Sequence, residues 1–122
     1  MERGSVVVVD LEPTLGHEHR GLRPCVVVSD PEVLTALRYP LVAVVPITGR
    51  AGVGALYPAM GEGESGLRQP SWALGDQVRS VDKRCVQRLV GRVSEVELAA
   101  IDQALALYLG LTGLTAWAGP AA

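Results

Sequence analysis

Phenylalanine is absent from the 122 residues, and two Trp and three Tyr are the whole aromatic complement. The core must then be aliphatic, and a nucleic-acid platform built from several stacked rings is not expected. Only Tyr39, Tyr57, Trp72, Tyr108 and Trp117 are available for stacking. Cysteine is nearly absent as well. Cys25 and Cys85 stand far apart and form no CxxC pair, which points to two buried, reduced thiols and a cytoplasmic protein. No HExxH, cysteine pair or acidic cluster suggests a metal site, so neither metal nor other cofactor is expected. No stretch approaches the ~18 apolar residues of a membrane span. Val6–Val9 is too short and wrongly flanked for a signal peptide, so a soluble protein without a membrane partner is expected. A net charge of −2 argues against binding duplex DNA through bulk charge.

What is present is valine, leucine and alanine in short runs. The composition is 48% hydrophobic, enough for a core in one domain, read here as residues 1–111 with 112–122 as a flexible tail. Strands are expected over Gly4–Leu11, Cys25–Ser29 and Leu41–Thr48, with Pro46 capping regular pairing or marking a bulge or edge. Shorter strands are expected at Ala55–Met60, Trp72–Leu74, Gln77–Val81 and Val86–Val93. Asp30-Pro31 reads as a cap and first position of a short helical turn after the second strand.

Ser94-Glu95-Val96-Glu97 is a capping box opening a helix that should end near Gly110. Val96, Ala99, Ala100, Ala104, Leu107 and Leu111 share its predicted buried face, widened by Leu98, Ile101, Leu105 and Leu109, with Asp102 and Gln103 toward water. The sum is a mainly β domain: a small, strongly curved, SH3-like antiparallel barrel with a C-terminal helix.

Two features carry chemistry. The loop between the first two strands holds His17, Glu18, His19 and Arg20, and Arg23-Pro24 opens the second strand. Carboxylate, imidazole and guanidinium groups handle protons and phosphates. Further on, Arg79, Lys83, Arg84, Arg88 and Arg92 form a basic run, read either as a solvated sheet edge or as part of an anion-tracking groove. Gly61–Gly66 matches GxGxxG literally, but without strand-turn-helix context, and Glu62 and Glu64 would repel a pyrophosphate. It is read as a loop.

The segments Arg3–Thr14, Gly16-His17-Glu18, Arg23–Ser29, Pro46-Ile47-Thr48 and Gly75–Arg84 resemble the MazF/PemK toxins, in family order and spacing, over roughly residues 3–111. The resemblance implies a homodimeric endoribonuclease toxin that cuts single-stranded RNA, chiefly mRNA, at specific sequences without a metal. It also implies a cognate antitoxin whose acidic, flexible C-terminal segment occupies the RNA groove. Arg23 and Thr48 take the family's catalytic positions, Glu18 a loop position proposed to assist, and Gln77 and Arg79 lie in the supporting segment. Two departures bear on the proton relay and base choice: His17 stands where many members carry Ser, and Gly49 where many carry a second Thr or Ser.

RNA supplies its own nucleophile, the 2′-hydroxyl. Cleavage then needs a proton acceptor, charge to stabilise a phosphorane, and a proton for the departing oxygen. Arg23 suits the phosphorane, because its planar fork matches two phosphate oxygens and it holds its proton too tightly to be a base. The competing reading pairs it structurally with Glu18 or Glu12. Thr48 can donate to a non-bridging oxygen, or be an ordinary β-branched strand residue. Glu18 is the leading base, with His17 and His19 as alternatives or as plain loop residues. Arg20, Arg50 and Arg68 either position RNA or serve solubility. The rival function is a CcdB-like toxin that binds gyrase on the same fold, to which Trp117 near the chain end invites comparison. A third reading is an inactive homologue kept as a binding module.

Overall fold

Valine runs become strands here with both faces covered, which is why they lack the alternation of a half-exposed sheet. The computed structural model describes residues 1–12, 21–61 and 64–112. Its strands are β1 (Ser5–Asp10), β2 (Leu22–Val27), β3 (Leu41–Thr48), β4 (Ala59–Met60), β5 (Ser71–Ala73), β6 (Arg79–Asp82) and β7 (Val86–Arg92). They form one antiparallel sheet in the order β4-β5-β3-β2-β1-β7, with β6 also paired to β3. Register slips of β7 against β1, between Val6 and Val7 and between Val8 and Val9, accompany the curl into a half-barrel. This is the mainly β architecture that the sequence predicts.

One sheet face carries Val6, Val26, Val45, Ile47 and Ala73, and helix α2 (Glu95–Tyr108) packs there through Ile101, Leu98 and Leu105. The other face carries Val7, Val9, Cys25, Val27, Val42, Val44 and Val81, closed by Leu11, Val86 and Leu34 of the short helix α1 (Pro31–Thr35). Both helices start as the sequence indicates. The Asp30 side chain accepts from the Glu32 amide at 2.9 Å. Ser94 Oγ accepts from the Glu97 amide at 3.1 Å while the Ser94 amide donates to Glu97 Oε1 at 2.9 Å. After α2, Gly110 adopts φ +74°, and the Gly110 and Leu111 amides close on the Leu107 and Ala106 carbonyls, the paired bonds of a glycine C-cap.

Several expectations need correction. The strand predicted from Ala55 is confined to Ala59–Met60, because Gly54 (φ +104°) turns the chain and its carbonyl accepts from the Tyr57 amide. The buried stripe of α2 is Leu98, Ile101, Ala104 and Leu105, whereas Val96 is 79% exposed and Leu107 and Leu111 are about half exposed. A helix apolar nearly all round does not reveal its inward side by periodicity. Its rotation is matched to Asp102, which does not face water freely but pairs with Arg3, Nη1 to Oδ2, at 3.0 Å. Val26–Val28, Val42, Val44 and Val45 are buried within one chain; of residues 26–28 and 41–45, Leu41 alone is substantially exposed.

Pro46 lies in a central strand, yet it interrupts nothing. β3 pairs with β6 up to Val44 and with β5 from Ile47, and Pro46 falls at the switch between these partners. Both cysteines are free; Cys25 is buried and Cys85 only half-buried. Among the described residues, no helix is long and apolar enough to cross a membrane.

Candidate active site

The register of β2 on β3 pairs Val26 with Val45 and Cys25 with Pro46. That ladder ends there: Arg23 and Thr48 each lie two residues beyond its last pair, and from Ile47 onward β3 pairs with β5. Side chains two apart share a sheet face, so both lie on the Cys25 face. On the other edge of β3, Val44 pairs with Arg79, which brings a second guanidinium to that face. Arg23, Thr48 and Arg79 therefore gather around the Asp10 end of β1, although they are 25 and 31 positions apart along the chain.

Beneath them Cys25 has no solvent exposure. Burial pushes its thiol up to about 12, against the weaker pull of the Arg79 and Arg23 charges. The floor of the site is thus uncharged. Arg23 is exposed and its Nη1 donates to its neighbour's carbonyl, Leu22 O, at 2.9 Å. Arg79 Nη2 reaches Leu11 O at 3.4 Å. Among the described residues neither guanidinium pairs with a carboxylate, so the pairing of Arg23 with Glu12 does not occur. Thr48 Oγ1 accepts from the Arg50 amide at 3.2 Å, which leaves its own proton free to donate.

Thr48 separates two hollows. The first, about 340 Å³, is lined among others by Pro24, Arg68, Gln69, Ser71 and Arg88. The second, about 400 Å³, is lined by Arg50, Val53, Tyr57, Leu74 and Gln77 among others. Gln77 ends the three-ten turn Gly75–Gln77 that delivers the chain to β6, so Arg50 and Gln77 meet across this second hollow. His17, Glu18, His19 and Arg20 lie outside the described residues. The loop that carries them leaves after Glu12 and returns at Gly21, where the Leu11 amide donates to the Gly21 carbonyl at 2.8 Å. A Cβ at Gly21 would stand 2.9 Å from the Glu12 amide nitrogen, so glycine is required at this return.

Gln69 and Tyr57 were not singled out by sequence reasoning as site residues, and Arg68 and Arg88 only as cations with a solvent-facing alternative. Arg68 is one loop cation among several, and Arg88 is one member of the basic run. That run lies on β6, the turn after it and the terminal strand β7, as the sheet-edge reading has it, and its cations have separate partners. Lys83 Nζ donates to Val33 O at 2.6 Å, Arg84 pairs with Asp82 at 2.9 Å, and Arg92 approaches Glu2 at 3.7 Å. Only Arg79 and Arg88 of the five turn toward the Thr48 region. At Gly49, a Cβ would collide with the Gln69 amide. The space that a larger residue at 49 would fill is thus taken by a polar side chain from the Leu67–Pro70 segment.

A family model described as PemK-like, MazF-like toxin of type II toxin-antitoxin system matches residues 2–109. Endoribonuclease MazF9 of Mycobacterium tuberculosis is 37% identical over 117 residues, covering 91% of this chain and 98% of that protein. A mycobacterial endoribonuclease solved in complex with its cognate antitoxin superposes with a TM-score of 0.73 at 25% identity, covering 91% of this chain and 96% of that one. A MazE–MazF structure from Deinococcus radiodurans gives a TM-score of 0.74 at 25% identity over 92% and 97% of the two chains. The fold, the family match along nearly the whole chain and the 37% identical relative together place this chain among the PemK-like, MazF-like toxins of type II toxin–antitoxin systems.

Proposed function

We propose that this chain, an endoribonuclease toxin by family, cuts single-stranded RNA at specific sequences in the cytoplasm, by attack of the RNA's own 2′-hydroxyl and without a metal. The observation that supports the reading is the β2–β3 register, whose last pair, Cys25 with Pro46, lies two residues from Arg23 on one strand and from Thr48 on the other, with Cys25 buried. In the reaction the 2′-oxygen bonds to phosphorus and loses its proton to a base. The bond from phosphorus to the 5′-oxygen breaks, and that oxygen takes up a proton. The products are a 2′,3′-cyclic phosphate and a 5′-hydroxyl.

Arg23 meets the extra negative charge of the phosphorane with two parallel donors. Thr48 donates to a non-bridging oxygen. Arg79 adds a second positive charge over a floor that cannot ionise at neutral pH. Glu18 is the assigned base, with His17 and His19 in the same loop as alternatives; a limb near neutrality in the pH–rate profile identifies an imidazole and a profile flat from about pH 6 to 8 removes both.

The active form in this reading is a homodimer, and the exposed side chains of Leu37, Tyr39, Leu41, Leu107 and Leu109 give association apolar surface to cover. A cognate antitoxin with an acidic, flexible C-terminal segment competes with RNA for Arg23, Arg50, Arg68, Arg79 and Arg88. The family match favours cleavage over gyrase binding, and Trp117, which prompted that rival, lies outside the described residues.

The deciding experiment incubates the purified protein with RNA and with the matching DNA in excess chelator. RNA fragments ending in a cyclic phosphate, with intact DNA, are expected. Cleavage restored only by added divalent metal, or fragments ending in a 3′-hydroxyl, would overturn the mechanism.

A further inference from the structure

Residues 64–70 belong to no strand or helix, so no ladder fixes them, yet they lie closely against β7. The Arg92 amide donates to Glu64 O at 2.8 Å. A Cβ at Gly91 would collide with that same oxygen, and a Cβ at Gly66 would fall 2.6 Å from Val90 O. The two backbones therefore meet with no side chain between them. Gly66 also takes φ +77°, where a side chain would be strained.

Ser65 sits amid these contacts and is the only one of residues 64–70 that is buried, at 2% exposure. Its hydroxyl donates to Gly61 O at 2.9 Å and accepts from the Leu67 amide at 3.3 Å. One buried group thus ties the chain before it to the chain after it. A hydroxyl is costly to bury unless it is bonded, and this one is used as donor and as acceptor. Further along, the buried Ser71 donates through Oγ to Gln69 O at 3.0 Å. Between the two ties stands Arg68, exposed and without a carboxylate partner among the described residues.

The ties bring two cations to one place. Arg68 lines the hollow of about 340 Å³ from the loop, and Arg88 lines it from β7. No Asp or Glu is among the groups lining that hollow, and Thr48 borders it. Two guanidiniums at one hollow match the oxygens of a phosphodiester. Arg88 is fixed by the ladder, opposite Val8 of β1. Arg68 has only the loop to place it, and Ser65 holds the loop.

We propose that Ser65 is a positioning residue for RNA: it holds the loop so that Arg68 stands with Arg88 as a clamp on one backbone phosphate flanking the cut. This rests on the endoribonuclease reading and deepens it. Ser65 touches neither RNA nor the reacting atoms, and its effect passes through the Leu67 amide to Arg68.

The test uses the full-length protein and an RNA oligonucleotide spanning a mapped cleavage site, with the attacking 2′-hydroxyl intact for turnover and replaced by hydrogen for binding. Affinity is followed by fluorescence anisotropy across a salt series, at a temperature where circular dichroism shows each variant folded. Arg68→Gln should weaken binding roughly 3- to 10-fold and flatten the slope of log affinity against log salt by about 0.7, the share of one phosphate contact on a single strand. Ser65→Ala should reproduce most of both changes and raise KM with kcat unchanged, the mark of lost uniform binding. Ser65→Cys, close in size but weak as donor and acceptor, should fall between wild type and Ser65→Ala. The double variant Ser65→Ala/Arg68→Gln should bind no more weakly than Arg68→Gln alone. A serine with a purely structural role would lower the melting temperature and leave the salt slope in place. That slope, unchanged in whichever Ser65 variant folds, overturns the proposal, as does an additive loss in the double variant. An unchanged slope in Arg68→Gln overturns it with Ser65 intact, while wild-type cleavage leaves the endoribonuclease reading standing. Wild-type protein that cuts no RNA refutes that reading, and the clamp falls with it.

Discussion

The two ends of the sheet treat their cations differently. At the Ser5 end, positive side chains are spent on holding the fold. Arg3 binds Asp102 through both guanidinium nitrogens and Val28 O through Nε, and Lys83 Nζ donates to Val33 O and Ala36 O. At the Asp10 end, Arg23, Arg50, Arg68, Arg79 and Arg88 make no ion pair with a carboxylate among the described residues. Only backbone carbonyls engage Arg23 and Arg79 there. Guanidinium groups without a carboxylate partner among the described residues are available to an arriving anion. The same strands thus supply a stitched end that stabilises and an open end where the proposed function places the RNA.

This contrast can be broken by substitution. Arg23→Ala should reduce cleavage by about 10²- to 10³-fold, the usual loss for one transition-state donor, while the circular dichroism spectrum and melting temperature stay unchanged. Arg23→Lys should recover only part of the rate, since it restores the charge but not the fork. Full activity in Arg23→Ala would remove the open end from the chemistry.

Arg3→Ala should do the reverse. The Arg3–Asp102 pair is partly exposed, so the expected loss is about 1 kcal/mol, read as a fall of about 4 °C in thermal melting, with cleavage by the remaining folded protein unaltered. A large loss of specific activity at a temperature where the variant is fully folded would show that the two ends are not independent.

The smallest effect concerns the floor. Burial raises the Cys25 thiol from its ordinary 9.0 to about 12, so the folded state keeps this proton where the unfolded chain releases it. Its contribution to stability is present below the ordinary thiol pKa and is lost as pH rises from about 9 toward 12. At pH 8, iodoacetamide should modify the half-buried Cys85 first and Cys25 only after denaturation, as mass spectrometry would record. Equal rates at the two thiols would mean that the floor beneath Arg23 is open to solvent.

Much of the frame was legible because local rules agree with the fold. Val6–Val9, Asp30-Pro31, the Ser94–Glu97 capping box and Gly110 each specify their own structure through neighbours a few residues away. The inward face of α2 was not legible, because Val96, Leu107 and Ile101 look alike on a helix apolar on most sides; Arg3, nearly a hundred residues earlier, pairs beside the stripe that turns inward. The basic run after Arg79 was ambiguous for a similar reason. Lys83 finds backbone carbonyls of α1 and the residue after it, while Arg88 borders Thr48, and sequence spacing distinguishes neither outcome. Arg23 and Thr48 were found through family resemblance, since Thr48 alone is an unremarkable strand residue. Tyr57 was named only as one of five rings, because its restraint depends on a glycine five residues before it and an aspartate nineteen after.

The carboxylate that starts α2 also reaches beyond its own helix. Glu97 Oε1 completes the cap, and Oε2 accepts from the Gly61 amide at 2.5 Å. Gly61 opens the stretch that ends in Arg68 and Gln69, so a helix-initiation signal also serves as a mooring for the wall of the first hollow. A glutamine at 97 would have one carbonyl oxygen where two acceptors are required, and it would have to release either the helix start or the mooring. Evolution of this helix is therefore tethered to the geometry of a cavity that it does not itself line.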